Sequence, residues 1–553
     1  MSEKSGDFGS REFLSFVSKH WKVILFLIVL IFAFYFRAYH IDYPVTGYHN
    51  WKETHYLTEA RNFADNGFFE HGFFVPEWDY PSINENPSGA HTDSFPTTSI
   101  IVGFLFNLLR VSLSGARLVS ILFSIGSIIL FYLIVKLLFK REDLAFISAL
   151  VFALNPLAIF FGRQVQLLGP ALFFSLAGIY YYIKWFKERS WKNTVLFSIF
   201  LMLGIMTKYS FILFAVPVIL TYPYKILRDK KYLSKHLFFV FIGLLSFLWF
   251  KYSSSISKSI GSQFEVVEFG VLFNSDFWRI MLSFARDNYT LLGLTFFVFG
   301  ILFWFFIVKV NMKSFECKFI NSYLIGSVIW FVFMAQKMQG HNYHQYPLLP
   351  LFVFFVSFFI LSASMTLAKV IKFKKLKWIF VFIIFSLLIL PSFAAKDRMF
   401  DTQFEGLDVA GEYIKEHKLE GERVMHSSHQ AYGLLWHGDI KGTRGIPSTV
   451  EDIQFAEDNL NASWIFVYAW DFGIFQDDRV EYISQNYKLA QIGFNMQGDQ
   501  FSPVYLLFRK GGTFDFSSIN LLVSARLDAG EFEIKEYEFS DGRMHELYYV
   551  NLE

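Results

Sequence analysis

Apolar stretches long enough to cross a bilayer recur along the first 395 residues, at 23–39, 117–139, 143–161, 170–187, 190–207, 209–224, 236–252, 291–309, 318–337, 345–367 and 377–395. A span needs ~20 apolar residues. A twelfth run, 97–112, is shorter and carries Arg110 near its end. Lysine and arginine gather at alternate junctions. They sit at the N-terminus (Lys4, Arg11, Lys19, Lys22), at Lys136, Lys140 and Arg141, and within 184–192, 225–235, 309–318 and 369–377. The intervening junctions at 162–169, around 208 and at 338–344 carry only Arg163 and Lys208. Short basic loops stay in the cytoplasm, so the basic set should lie inside. If 97–112 crossed the membrane, every later basic junction would move outside. It is therefore read as a juxtamembrane or re-entrant helix on the outer face. The expectation is a polytopic α-helical membrane protein of about eleven spans, up to thirteen, with the N-terminus (1–22) cytoplasmic and the C-terminus outside.

The pattern changes at Lys396. Helical periods (DVAGEYIKEHKL, TVEDIQFAEDNL, RVEYISQNYKL) alternate with short apolar runs (GERVMHSS, ASWIFVYAW, SPVYLLFRKG), which is an α/β arrangement. The tail reads as a hairpin around Asp541-Gly542. Three parts follow: the cytoplasmic N-terminus, a transmembrane part over 23–395 with a first outer loop at 40–116, and an extracytoplasmic α/β domain over 396–553.

Composition sharpens this. The 553 residues are 54% hydrophobic and 18% charged, against ~45–50% and ~25% in soluble domains. The net charge of +2 identifies no partner because the charges are segregated. One cysteine, Cys317, excludes intrachain disulfides and thiolate metal clusters. The first apolar run lacks a small-residue cleavage site and is read as a retained helix. Asn288-Tyr-Thr290 and Asn461-Ala-Ser463 are glycosylation sequons on the expected outer face.

Polar residues of the membrane half also collect on the outer side. The loop 40–96 holds Lys52, Glu53, His55, Glu59, Arg61, His91 and Asp93 among others, and further outer junctions add Arg163, Lys208 and the stretch QGHNYHQYPLLP. A solvated loop accounts for most of the carboxylates. It does not account for Lys208, set amid ~34 apolar residues where a lone ammonium is costly; either it snorkels or it meets an anion inside the bundle.

A series of motifs runs in order over about 20–395: Trp51-Lys52-Glu53-Thr54-His55, Ala60-Arg61-Asn62-Phe63, Asp93-Ser94-Phe95-Pro96, Ala116-Arg117-Leu118-Val119-Ser120, Asn155-Pro156 with Gly162-Arg163, Thr207-Lys208, and His341-Asn-Tyr343-His344-Gln345-Tyr346-Pro347. By this series the chain resembles the C-type glycosyltransferases (GT-C superfamily) that use lipid-phosphate sugars, a group holding the protein O-mannosyltransferases and aminoarabinose transferases, and within it the prokaryotic branch. Two departures from the branch matter. Glu53 and His55 stand where the branch has Gln and Asp, and 164–170 lacks the carboxylate often found after the Gly-Arg pair.

The resemblance implies a sugar donor on a polyprenyl phosphate, a hydroxyl acceptor on protein, lipid or glycan, and membrane lipids as surroundings, with no nucleic acid. Inverting displacement at the anomeric carbon needs a carboxylate base and cations for the departing phosphate. Glu53 is the expected base with Asp93 in reserve. Lys208, Arg61 and Arg163 are the phosphate candidates, and Trp51, His55, His341, Tyr343, His344 and Gln345 are substrate contacts. His341 and His344, with Glu53, His55 or Asp93, would suit a zinc ion or equally line the cavity as hydrogen-bonding groups; no metal and no other cofactor is expected. A transporter or flippase of lipid-linked sugars, and a non-catalytic scaffold that binds them, are the alternatives. A transporter would show paired broken helices in two repeated halves, and no internal repeat is evident.

Overall fold

The structure, a computed structural model, describes residues 6–68, 94–256, 268–307, 312–426, 429–443, 447, 449–474, 477–498 and 500–552. The chain divides into two compact units. One holds residues 1–41, 117–252 and 264–396, the other 42–116, 253–263 and 397–553. The chain is thus a multi-pass membrane protein with a separate C-terminal sheet domain.

The expected eleven to thirteen spans are not what the chain forms. Among the described residues six helices are long and apolar enough to cross a membrane: His20–Ala38, Leu113–Phe139, Lys230–Ile256, Phe315–Gly340, Asn342–Val370 and Lys377–Phe400. The number rises to eight if each of two bent pairs counts as one span. The reasons are local. The run 143–161 breaks at Asn155-Pro156, where the two halves bend by 60°, because proline cannot continue the helix before it. The run 291–309 joins Ser275–Tyr289 at a 92° bend. Residues 170–187 form the helix Leu168–Glu188, but Tyr180, Tyr181, Tyr182 and Lys184 dilute its apolar character. The run 190–207 makes a helix of only 17 residues. The run 209–224 splits into a 3₁₀ segment, Tyr209–Phe214, and the seven-residue helix Ala215–Thr221. Counting apolar residues missed these interruptions. The run 97–112 forms the 12-residue helix Thr97–Leu108, too short to span.

Small residues draw the membrane helices together, as expected where lipid tails give no hydrophobic drive between them. Leu168–Glu188 and Trp191–Thr207 form a hairpin whose turn is capped by the Ser190 hydroxyl, an acceptor for the Asn193 N–H. A Cβ on Gly178 would stand 2.8 Å from the Leu201 backbone nitrogen, and one on Gly204 2.8 Å from that of Ser175. Arg37 is fully buried. It donates from Nε to Ser124 Oγ (2.7 Å) and from Nη1 to the carbonyls of Ala33 (2.9 Å) and Ala153 (3.1 Å), which compensates a charge that an apolar bundle would otherwise reject.

The second unit is built on a seven-stranded mixed sheet. Its strands are β1 (Arg423–His426), β2 (Lys441–Gly442), β3 (Ala462–Tyr468), β4 (Tyr487–Gln497), β5 (Gln500–Lys510), β6 (Glu533–Glu538) and β7 (Met544–Asn551). Their order is β2-β1-β3-β5-β4-β7-β6, parallel from β2 to β3 and antiparallel beyond. The helical period expected for RVEYISQNYKL ends at Asn486, and Tyr487 opens β4 instead. Asp541 and Gly542 lie in the turn joining β6 to β7.

Successive side chains of a strand face opposite ways, and β3 divides accordingly. Trp464, Phe466 and Tyr468 join one core with the helices Leu407–His417 and Gly433–Gly438. Ile465 and Val467 join the other, with Val450–Leu460, Asp477–Asn486 and Ile519–Asp528. Tyr43 and Trp51, far upstream in sequence, pack on the first of these cores. Beneath them Asp408 is buried and accepts from Tyr537 Oη at 2.5 Å, with Lys535 Nζ at 3.4 Å.

Gly178→Val in the full chain should lower the thermal unfolding midpoint in detergent. Overpacking of a tight contact costs ~1–3 kcal/mol, and an unchanged midpoint would show that the hairpin does not pack this closely.

Candidate functional site

The sequence between Val45 and Asn66 is organised by its fit to the sheet domain. His49 adopts φ 59° and turns the chain into the helix Asn50–Asn66. The Val45 N–H donates to His437 Nε2 (3.0 Å). Asn50 is buried and used twice, its Nδ2 donating to the Gln430 carbonyl (2.8 Å) and its Oδ1 accepting from the Gly433 N–H (3.2 Å). Trp51 packs on the aromatic core, and the Lys52 ammonium lies 4.2 Å from its ring centre. Further along the helix, Arg61 Nη1 meets Asp439 Oδ1 at 2.6 Å, with its guanidinium 5.2 Å from the Trp436 ring centre. Asp439 also receives Lys418 Nζ at its carbonyl. Burial lowers the Lys418 ammonium below the usual lysine range.

Three acidic or basic groups of this helix, Glu53, His55 and Glu59, are buried. Glu53 is 3% exposed. His55 Nε2 meets Glu59 Oε1 at 2.6 Å, and the other oxygen of Glu59 accepts from Ser99 Oγ (2.7 Å) on the helix Thr97–Leu108. Gly103 permits that second helix to approach, since a Cβ there would meet the Ala60 carbonyl oxygen at 2.9 Å. Glu53, His55, Trp51 and Arg61 therefore share one helix. Asp93, together with His71, Glu77, Asp79, Glu85 and His91, lies outside the described residues.

In the membrane unit the expected residues fall into two places. Arg163 donates from Nη1 to the carbonyls of Tyr39 (2.8 Å) and His40 (3.0 Å). Arg117 reaches the carbonyls of His40 (3.4 Å) and Ile41 (3.2 Å) from its own Nη1. Both arginines thus satisfy carbonyls of the turn that follows the first helix, which ends at Ala38. Lys208 occupies a helix break. It has extended backbone angles between Trp191–Thr207 and Tyr209–Phe214, and its ammonium lies 5.0 Å from the Tyr343 ring centre. His341 stacks on Tyr343 at 5.1 Å, and His344 lies 4.5 Å from Tyr343 and 6.0 Å from His341, centre to centre. Lys208, His341, Tyr343 and His344 are thus neighbours. Among the described residues no three His, Cys, Asp or Glu side chains gather closely enough to hold a metal ion.

Gln345 belongs to a buried amide network that sequence reading missed. Asn288 Nδ2 donates to the Asn342 carbonyl and to Gln345 Oε1, both at 3.0 Å. Asn342 Nδ2 returns to Asn288 Oδ1 (3.2 Å), and Asn155 Nδ2 reaches the Asn288 carbonyl (3.2 Å). Tyr289 Oη donates to the Gln345 carbonyl (2.8 Å). These residues sit at the breaks of three helices, where bent backbone must be satisfied inside protein. Thr290, with φ 62°, makes the sharpest bend and caps the next helix through its hydroxyl. Asn288 looked like a sequon. Fully buried and with its amide donating twice, it is a structural residue that no glycan can reach. The available signal was an amide bordering an apolar run, not the three-residue motif.

Residues 91–252 match the family described as dolichyl-phosphate-mannose-protein mannosyltransferase. No curated protein matches the chain by sequence. Solved structures similar to it include ArnT from Cupriavidus metallidurans in the apo state (TM-score 0.58, 11% identity, 89% of this chain and 98% of that one). The same protein bound to undecaprenyl phosphate is also similar (TM-score 0.55, 10% identity, 88% and 98%), as is the apo oligosaccharyltransferase of Archaeoglobus fulgidus (TM-score 0.51, 11% identity, 89% and 75%). At these identities the likeness is one of fold. The chain carries the fold of these structures.

Asn288→Ala should destabilise the full chain by ~1–3 kcal/mol, the cost of stranding buried acceptors, read as a lower unfolding midpoint. Expression in a host that glycosylates sequons should give no glycan mass at Asn288; occupancy there would contradict its burial.

Proposed function

We propose that this protein is a membrane glycosyltransferase that moves a sugar from a polyprenyl-phosphate donor to a hydroxyl acceptor. The observation that carries the reading is Lys208. It interrupts two apolar helices and lies over Tyr343, next to His341 and His344. A cation held in a helix break, with aromatic faces around it, suits a lipid phosphate and its attached sugar. Two similarities support the same reading: the match of residues 91–252 to the mannosyltransferase family, and the likeness in fold to a transferase whose structure contains undecaprenyl phosphate.

In the proposed reaction Glu53 removes the proton from the acceptor hydroxyl as its oxygen attacks the anomeric carbon. The bond from that carbon to the phosphate oxygen breaks, the electron pair leaves on the lipid phosphate, and the new glycosidic bond has inverted configuration. Lys208 stabilises the phosphate charge as it develops. Arg61 and Arg163 began as equal candidates for that role, but their contacts with Asp439, Trp436 and the carbonyls of the turn after the first helix support positioning instead. Trp51, His55 and Gln345 remain proposed substrate contacts. The basic junctions are assigned to the cytoplasm, and the loop 40–116 and the sheet domain to the outer face, where donors on lipid rather than nucleotide are available.

Purified full-length enzyme with a panel of polyprenyl-phosphate sugars and membrane extract should transfer one sugar, read by mass spectrometry. Glu53→Gln should lower turnover by ~10²–10⁴-fold, the usual contribution of a general base, with donor affinity retained. If Glu53→Gln turns over normally while Asp93→Asn does not, the base is Asp93.

Lys208→Met separates a phosphate ligand from a snorkelling side chain. The expected outcome is weaker binding of polyprenyl phosphate, with or without sugar, and stability at least equal to wild type, since a charge costing ~2.5–3.5 kcal/mol at a helix centre has been removed. Lost stability with unchanged lipid affinity would make Lys208 structural.

A further inference from the structure

The membrane unit has a second feature that the proposed transfer does not use. A cavity of about 730 Å³ opens on its flank, within the ~300–1,000 Å³ range of small-molecule sites. Its walls are Leu25 of the first helix, Phe146 and Leu150 of the helix Glu142–Leu154, and Phe382 and Phe385 of the helix Lys377–Ser386. Phe382 is 69% exposed, and Trp21 and Trp378 are each about half exposed at the rim. Tyr132 also lines the cavity, its hydroxyl turned to Glu142 Oε1 (3.4 Å), and the other wall residues below the rim are apolar, too few polar partners for water, which needs two to four. A hydrocarbon chain from the surrounding bilayer fits these walls.

The rim decides what such a chain is attached to. Glu142 receives Lys22 Nζ at 2.5 Å and Lys136 Nζ at 2.9 Å. Asp143 receives Arg141 Nη2 at 2.8 Å and Lys377 Nζ at 3.1 Å. Four cations thus surround two carboxylates, leaving two positive charges in excess. Each lysine ammonium has three donors, and one carboxylate contact does not exhaust them. Tryptophan and lysine at one level also mark the bilayer interface. Basic pockets between membrane helices select anionic headgroups.

We propose that this groove binds one anionic glycerophospholipid, its phosphate at the rim with Lys22 and Lys377 and an acyl chain along Leu25, Leu150 and Phe382. The lipid would tie the first helix and Lys377–Ser386 to Glu142–Leu154, three segments that otherwise meet at the rim through ion pairs. This site does not depend on the transfer reaction proposed above.

The test uses delipidated full-length protein in detergent, titrated in native mass spectrometry with dioleoyl-phosphatidylglycerol, dioleoyl-phosphatidylcholine and undecaprenyl phosphate. Wild type should take up one phosphatidylglycerol in preference to phosphatidylcholine, by about fivefold for each contributing lysine. The Lys22→Gln, Lys377→Gln double variant should lose that preference. It leaves Glu142 paired with Lys136 and Asp143 with Arg141, so its unfolding midpoint in detergent without lipid should stay close to wild type. Leu150→Trp, which fills the cavity, should reduce uptake of both phospholipids. Equal uptake of the two by wild type, a preference that survives the double variant, or unaltered uptake by Leu150→Trp would each overturn the proposal. Displacement of phosphatidylglycerol by an equal amount of undecaprenyl phosphate would also overturn it and assign the groove to the isoprenoid lipid.

Discussion

An apolar bundle tolerates bent backbone only where something replaces the hydrogen bonds lost at the bend, and the membrane unit depends on how that is done. Its helices break at Asn155, Lys208, Thr290 and His341. Four amide side chains, Asn155, Asn288, Asn342 and Gln345, link three of these breaks into one network. Holding the 3₁₀ segment Asn342–Leu348 in this way fixes Tyr343, and Tyr343 gives the Lys208 ammonium an aromatic face. The polar groups proposed to meet the donor are thus by-products of the breaks. A straight helix would have turned them toward lipid or buried them against carbon.

The sheet domain solves a different problem. Its two faces each need a cover, and the helices after Leu407 provide most of it. Tyr43 and Trp51 complete one face from the far end of the sequence. The helix bearing Glu53 is consequently seated at both ends, by Asn50 on Gln430 and Gly433 and by Arg61 on Asp439 and Trp436. A side chain three residues from a doubly bonded, buried anchor has little freedom to wander. Such support is what a proton-transferring group requires, because misplacement of about an ångström can cost ~10²-fold in rate.

Much of this could be read from sequence, and the errors in the span count share a cause. Runs such as 117–139 and 345–367 became long helices because hydropathy reports the solvent of a segment directly. Short apolar runs such as ASWIFVYAW became strands whose faces alternate between two cores. What hydropathy does not report is continuity. The eleven runs included 143–161 and 209–224, bent or split within their length, and 291–309, which meets the helix before it at a sharp bend, so the span count came out high. The break at Asn155-Pro156 was visible as a proline, whereas the bend at Thr290 was not, since a β-branched residue at φ 62° is held there by its surroundings. Asn288 failed for the opposite reason, a surface motif read onto a buried residue. The pairing of His55 with Glu59 was legible as an i, i+4 spacing but its burial was not.

The cations of the membrane unit sort by geometry rather than by charge. Arg37, Arg117 and Arg163 each spread one planar fork over two or more oxygen acceptors, mostly carbonyls left over where helices end or bend. Arginine suits that work because its donors diverge in a fixed plane and its charge is weakly hydrated. Lys208 stands at a comparable break, yet its ammonium lies over an aromatic ring. A compact, strongly hydrated point charge makes a poor cap for several carbonyls and a good partner for an incoming phosphate. If Lys208 served only to close the break, an arginine would do so better, as it does at three other positions in the same unit. The choice of residue type at position 208 is therefore the reason the proposed donor phosphate is placed there and not at Arg163.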